Sequence, residues 1–260
     1  MKHIICCIST FTFLAAGTSF AAHPLVSDDA GTLGQGTIQV ELNGDIGTDK
    51  ESHIGETTKT KSSQMASTIG FGLSDKIDVV FGYTHPWGEV DVDDVTFKDH
   101  GSSDFSLNMK WQVYEQDGFS AALKPQIGYS YALEVPDNDY TVSYGATMIL
   151  SKEVEPFAFY FNIGYTYNDY NLEAVRKTDR SGLWNVSLAT TYEVIKDLKI
   201  VADFGARTNE DKDVDEMPVF GLAGIIYSIN KNCDLSAGLK LGLTTPETDI
   251  TGTTGLTLKF

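Results

Sequence analysis

From residue 36 to residue 47 polar and apolar positions alternate. Thr37, Gln39, Glu41, Asn43 and Asp45 fall on one parity, and Ile38, Val40, Leu42, Gly44 and Ile46 on the other. A period of two marks an extended strand lying between two different environments. Residues 101–113 repeat it, with Phe105, Leu107, Met109, Trp111 and Val113 against Asp104, Ser106, Asn108, Lys110 and Gln112. Residues 119–131 and 157–168 do the same, and eight segments alternate less strictly: 63–73, 77–85, 140–150, 181–194, 198–207, 218–229, 235–244 and 250–260. Residues 218–229 are apolar on both parities, so the pattern assigns them no faces. The pattern predicts twelve strands, and about ten residues suffice to cross an outer membrane at the usual tilt.

The connections sort into two kinds that alternate along the chain. Residues 74–76, 114–118, 151–156, 195–197 and 230–234 are short, whereas 48–61, 86–100, 132–139, 169–180, 208–217 and 245–249 are mostly long. Tight turns at one end and extended loops at the other are the habit of bacterial outer-membrane barrels. Aromatic residues at strand ends (Tyr83, Trp111, Tyr129, Tyr131, Phe157, Tyr165, Trp184 and Tyr192) fit interfacial girdles. The fold expected is therefore all-β, an antiparallel transmembrane barrel of twelve strands over residues 36–260. Its even strand count puts both termini in the periplasm. Phe260 ends an alternating strand with Leu258, Leu256 and Ile250, which resembles the signal read by the barrel assembly machinery.

The start of the chain changes the picture of where it goes. Met1-Lys2-His3 is basic, the next stretch is apolar, and Ser19-Phe20-Ala21 has small residues where a signal peptidase cuts. Residues 1–21 are expected to be a cleaved signal peptide, with cell outer membrane as destination. Cys6 and Cys7 would leave with it, so Cys233, in a polar turn, would be the lone thiol and structurally neutral. The net charge of −17 and pI near 4.5 argue against nucleic acid as a partner. Mean hydropathy is only −0.14. Alternation hides the apolar surface, because every second side chain of a barrel strand faces inward.

By parity the lumen receives Glu41, Asp45, Asp78, Asp104, Glu193 and Asp203, together with Lys110, Lys124, Lys199, Arg207 and Lys240, and with Lys259 at the rim. These charges can line a pore or pair across a narrow interior and fill it. Near-neutrality predicts no strong ion selectivity, and the lumen as a whole reads as polar. The acidity sits in the long connections, which hold 21 acidic and 8 basic residues. Glu89, Asp91, Asp93 and Asp94 form one cluster, and Glu210, Asp211, Asp213, Asp215 and Glu216 another. Neither has the twelve-residue calcium-loop pattern. Solvated loops, or divalent-bridged contact with lipopolysaccharide, are expected, and no metal or other cofactor. His100-Gly101-Ser102 spells the pair used by outer-membrane lipid hydrolases, but its parity is inward. His53 and His85 lack a surrounding motif, so no enzymatic activity is expected.

Residues 22–35, with Pro24, Gly31 and Gly34, are too irregular for a strand. They have two readings, a periplasmic tether or a plug that brings Asp28 and Asp29 to Lys110 or Lys124. His23-Pro24-Leu25-Val26-Ser27-Asp28-Asp29-Ala30-Gly31-Thr32 with the strand that follows, and Gly101, Asp104, Leu107, Lys110 and Trp111, resemble the phenol meta-pathway family of outer-membrane barrels, often called simply transporters. The resemblance implies a barrel linked to breakdown of aromatic compounds. The function expected is passive uptake of small solutes through an outer-membrane channel. A non-conducting surface barrel whose acidic loops bind a partner or divalent cation is the alternative.

Overall fold

The computed structural model describes residues 23–53, 56–92, 95–99, 101–132 and 139–260. The signal-peptide expectation, Asp93, Asp94 and His100 lie outside them. Among the described residues the strands are β1 (Ile38–His53), β2 (Glu56–Ser74), β3 (Ile77–Val92), β4 (Val95–Asp99), β5 (Ser102–Gln116), β6 (Phe119–Ala132), β7 (Tyr140–Val154), β8 (Phe157–Tyr170), β9 (Gly182–Ile195), β10 (Leu198–Arg207), β11 (Val219–Asn230), β12 (Cys233–Gly242) and β13 (Ile250–Lys259), with one short helix, α1 (Glu173–Thr178). Every strand except β4 pairs antiparallel with two neighbours, and β3 with β4 as a third. β1 joins β13, and β2–β3 and β3–β5 complete the ring, so twelve strands close a barrel. Closure removes sheet edges and leaves each wall residue facing either in or out.

The faces follow the alternation. Leu42, Ile69, Phe81, Leu107, Leu188 and Ile225 are exposed on the outside, where lipid would cover them. Glu41, Thr68 and Thr257, cross-strand partners, are buried inside. Aromatic residues collect in two bands. Trp111, Phe157 and Tyr192 lie near the short turns, with Phe157 and Tyr192 ring centroids 4.9 Å apart. Tyr83 with Phe105 (5.2 Å) and Tyr165 with Trp184 (4.8 Å) lie toward the other end. His85, left without a role by its motif, stacks on Trp87 with centroids 5.9 Å apart.

Three expectations need correction. The first two long connections are largely strand. β1 and β2 pair from Ile38↔Phe71 up to His53↔Glu56, and β3 turns back through β4, with Val90 opposite Phe97 and Glu89 opposite Lys98. Beyond the membrane both faces of a ladder are wet, so the apolar alternation that betrays a strand fades while the hydrogen bonds continue. Residues 169–180 contain α1 rather than only loop. Finally, the lumen is not polar throughout. Phe220, Leu222 and Ile226 of β11 point inward with Ala189 and Val201, while Ile225, Tyr227 and Ile229 face outward. That is why residues 218–229 are apolar on both parities.

Candidate functional site

The segment before β1 crosses the barrel interior as a strap. Its irregular backbone has no ladder to satisfy its N–H and C=O groups, so wall side chains must do so. His23 starts at β12 and β13, with Nδ1 2.7 Å from Ser236 Oγ and Nε2 2.6 Å from Thr253 Oγ1. The close approach there depends on missing side chains. A Cβ on Gly255 would lie 2.5 Å from His23 Nδ1, and one on Gly238 would lie 2.9 Å from Pro24. Leu25 then enters the apolar cluster of Ala189, Val201, Phe220, Leu222 and Ile226, with Val26 and Tyr160 packed beside it.

The next residues meet polar walls. The Val26 and Ser27 amides both donate to Asp203 Oδ2 at 2.7 Å, and the Ser27 hydroxyl lies 2.8 Å from Asp203 Oδ1 and from Ser187 Oγ. Asp28 and Asn162 exchange two bonds of 2.8 Å, amide to Oδ1 and Nδ2 to carbonyl. The Asp28 carboxylate takes Lys110 Nζ at 2.8 Å and Lys124 Nζ at 3.0 Å, with all three side chains nearly inaccessible to solvent. Stripping water from a charge costs several kcal/mol per ion. One carboxylate shared by two ammonium groups, with its backbone also satisfied, offsets that cost. Asp29 contributes differently from its expected role: its carbonyl accepts from Lys110 at 2.9 Å, while its own carboxylate accepts from the Gly31 amide. Ala30 follows, its amide donating to Ser151 Oγ and its carbonyl accepting from Gln112. The Leu33 amide donates to Asp78 Oδ2 at 2.9 Å just before the chain enters β1.

The other charges assigned inward fall into three groups. Glu41 accepts from Gln39, and Asp45 from Gln64, so both are bound to amides rather than cations. Lys240 and Arg207 converge on Glu247 at 2.7 and 3.4 Å. Glu247 belongs to the last long connection and folds inward to full burial, against its expectation as a solvated loop acid. Glu193 and Lys199 oppose each other across β9 and β10 near the short-turn end and are exposed, and Lys259 sits 3.8 Å from Asp234 there. Asp104 remains, buried near the mouth of β5 with Ser102 and Ser130 donating to its Oδ1. Pattern alone offers no signal for Leu25, Ser27, Asn162, Ser151 or Phe220 as strap contacts, since ordinary lumen residues look the same.

Outside, the second acidic cluster is wrapped round a cation. Arg180 donates to the carbonyls of Asn209, Asp211, Lys212 and Val214 and to Asp215 Oδ1. Asp91 accepts from Thr96, and Glu89 lies 3.7 Å from Lys61. Among the described residues no group of three His, Cys, Asp or Glu is arranged to hold a metal.

Two cavities flank the strap. One, about 190 Å³, lies toward the long connections and is lined by Val26, Asp104, Lys124, Gln126, Tyr170, Leu183, Arg207 and Phe220 among others. The second, about 210 Å³, lies toward the short turns and is lined by His23, Asp29, Glu41, Asp78, Lys110 and Lys259 among others. They share no lining residue, and the Asp28 ion-pair triad stands between them.

Residues 27–260 match the model of a family described as "Putative MetA-pathway of phenol degradation". Comparison with curated protein sequences gave no significant match. Among solved structures, the COG4313 outer membrane channel from Pseudomonas putida F1 superposes with a TM-score of 0.66 at 12% identity, covering 89% of this chain and 98% of that one. The KdgM porin gives 0.54 at 8% identity, covering 85% and 99%. The translocator domain of the autotransporter NalP from Neisseria meningitidis gives 0.51 at 11% identity, covering 87% and 89%. At these identities the likeness is one of fold, that of outer-membrane barrels.

Proposed function

The chain belongs to that phenol-degradation family, and from this premise we propose that it is an outer-membrane channel for passive uptake of small solutes, aromatic compounds among them, gated by the strap at residues 23–35. The observation that carries the proposal is the pair of cavities meeting at opposite faces of the strap. A cavity lies on each side of a barrier made of one segment held by side chains, not by a ladder. The mixed walls suit the solute class: β9 to β11 offer Leu183 and Phe220 to a ring, while Gln126, Ser130 and Asn168 can bond its substituents. The Pseudomonas neighbour is described as a channel and KdgM as a porin, which supports the same reading.

The termini belong in the periplasm, with residues 1–21 removed on export and Phe260 presented to the assembly machinery. The short turns would then face inward and the acidic connections outward, toward lipopolysaccharide. A non-conducting surface barrel has less support, because the acidic fifth connection is already engaged by Arg180. The test is single-channel conductance of the refolded protein with and without residues 22–35. Higher conductance on deletion is expected. A deletion variant that conducts no better than the whole chain would sink the gate.

A further inference from the structure

The outer cavity contains a carboxylate that the strap does not use. Asp104 of β5 is only 5% exposed, and its Oδ1 accepts from the hydroxyls of Ser102 and Ser130. Its Oδ2 is buried with no hydrogen-bond partner among the described residues. An ionised carboxylate accepts only, so its unfilled oxygen calls for a donor, and a charged donor bonds it best. The two cations lining the same cavity are committed elsewhere, Lys124 to Asp28 at 3.0 Å and Arg207 to Glu247 at 3.4 Å. Lining residues Val26, Tyr170, Leu183 and Phe220 give that cavity an apolar portion as well.

We propose that Asp104, with Ser102 and Ser130, forms a subsite for the ammonium group of an organic amine whose apolar body rests in the outer cavity. The proposal rests on the channel reading and names a solute class for it. An organic cation suits the place better than a metal ion, since no group of three His, Cys, Asp or Glu that could hold one occurs among the described residues. Ammonium supplies three donors in a compact head. One can meet Oδ2, leaving others for neighbouring serine hydroxyls. The hydroxyls that hold Oδ1 keep the carboxylate oriented before the solute arrives, and this preorganisation lowers the cost of binding.

The experiment is calorimetric titration of the refolded full chain in detergent micelles at low salt with benzylammonium, benzyl alcohol and benzoate. Benzylammonium is expected to bind at least about tenfold more tightly than benzyl alcohol, as a hydrogen bond to a charged group implies, and benzoate more weakly than either. Asp104→Asn should abolish the preference, bringing the amine's affinity down to about that of the alcohol, with the heat-modifiable gel shift of a folded barrel retained. If that variant does not fold, Asp104→Ser carries the same test. Equal affinity for amine and alcohol, a preference that survives the substitution, or no binding at all would overturn the subsite. Titration does not require conduction, so a silent bilayer recording would count against the channel and leave this result standing.

Discussion

Leu25 and Asp28 are three residues apart in the strap, yet they dock on facing walls of the barrel by different physics. Leu25 loses water against Ala189, Val201, Phe220, Leu222 and Ile226 of β9 to β11. Asp28 loses water against Lys110 and Lys124 of β5 and β6 and recovers it as two ion pairs. The apolar contact is nondirectional and degrades gradually when trimmed. The charged contact is conditional, because removing one partner strands the others in a buried site. A segment fixed at one end by packing and at the other by a charge triad can release from the charged side while staying tethered by the apolar one.

The largest effect is therefore expected from Asp28→Ala. It removes the carboxylate that both buried ammonium groups share, which costs about 3–5 kcal/mol. Conductance should rise to near that of the strap deletion, and a docked-like conductance would break the comparison. Leu25→Ala should cost less, about 2 kcal/mol at the low end for a buried leucine, since the strap can settle into part of the space left. That weakens docking about thirtyfold. Bilayer recordings should then show brief openings over a mostly closed baseline. If Leu25→Ala opens the channel more than Asp28→Ala, the apolar wall is the true latch. The smallest change comes from labelling, which alters no energy but sets which way the latch faces. In a Cys233→Ser background, Asp213→Cys should react with an impermeant maleimide on intact cells, whereas native Cys233 should react only after the outer membrane is opened. The reverse pattern would invert the assigned orientation.

Most of the barrel was legible along the chain because a strand between lipid and lumen must alternate. Observed strand bounds within the wall lie within a few residues of those expected, as at β8 (Phe157–Tyr170) against 157–168 and β6 (Phe119–Ala132) against 119–131. Legibility failed where the environment stopped being two-sided. The outer parts of β1 to β4 are wet on both faces and looked like charged loop. The lumen face of β11 is apolar because it receives Leu25, a partner some two hundred residues away in sequence. Glu247 failed for a related reason: a loop acid between two loop-like neighbours is solvated by default, and only Lys240 and Arg207 draw it inward.

The site divides along the same line. Residue type and parity alone placed Asp28 within reach of Lys110 or Lys124 as an option, because an acidic segment before the first strand and two inward lysines carry opposite charge. Parity also placed Asp104 on the lumen side. Which acid pairs was decided by tertiary structure: Asp28 meets both lysines, Asp29 turns its carboxylate to the Gly31 amide, and Asp104 keeps one oxygen with no partner among the described residues. By itself, then, the sequence determined an antiparallel twelve-stranded barrel, its apolar exterior and the inventory of inward charges, since all three follow from a period of two. Only the folded barrel decided how that inventory is shared out, because pairing depends on distances across the lumen that alternation along one strand does not encode.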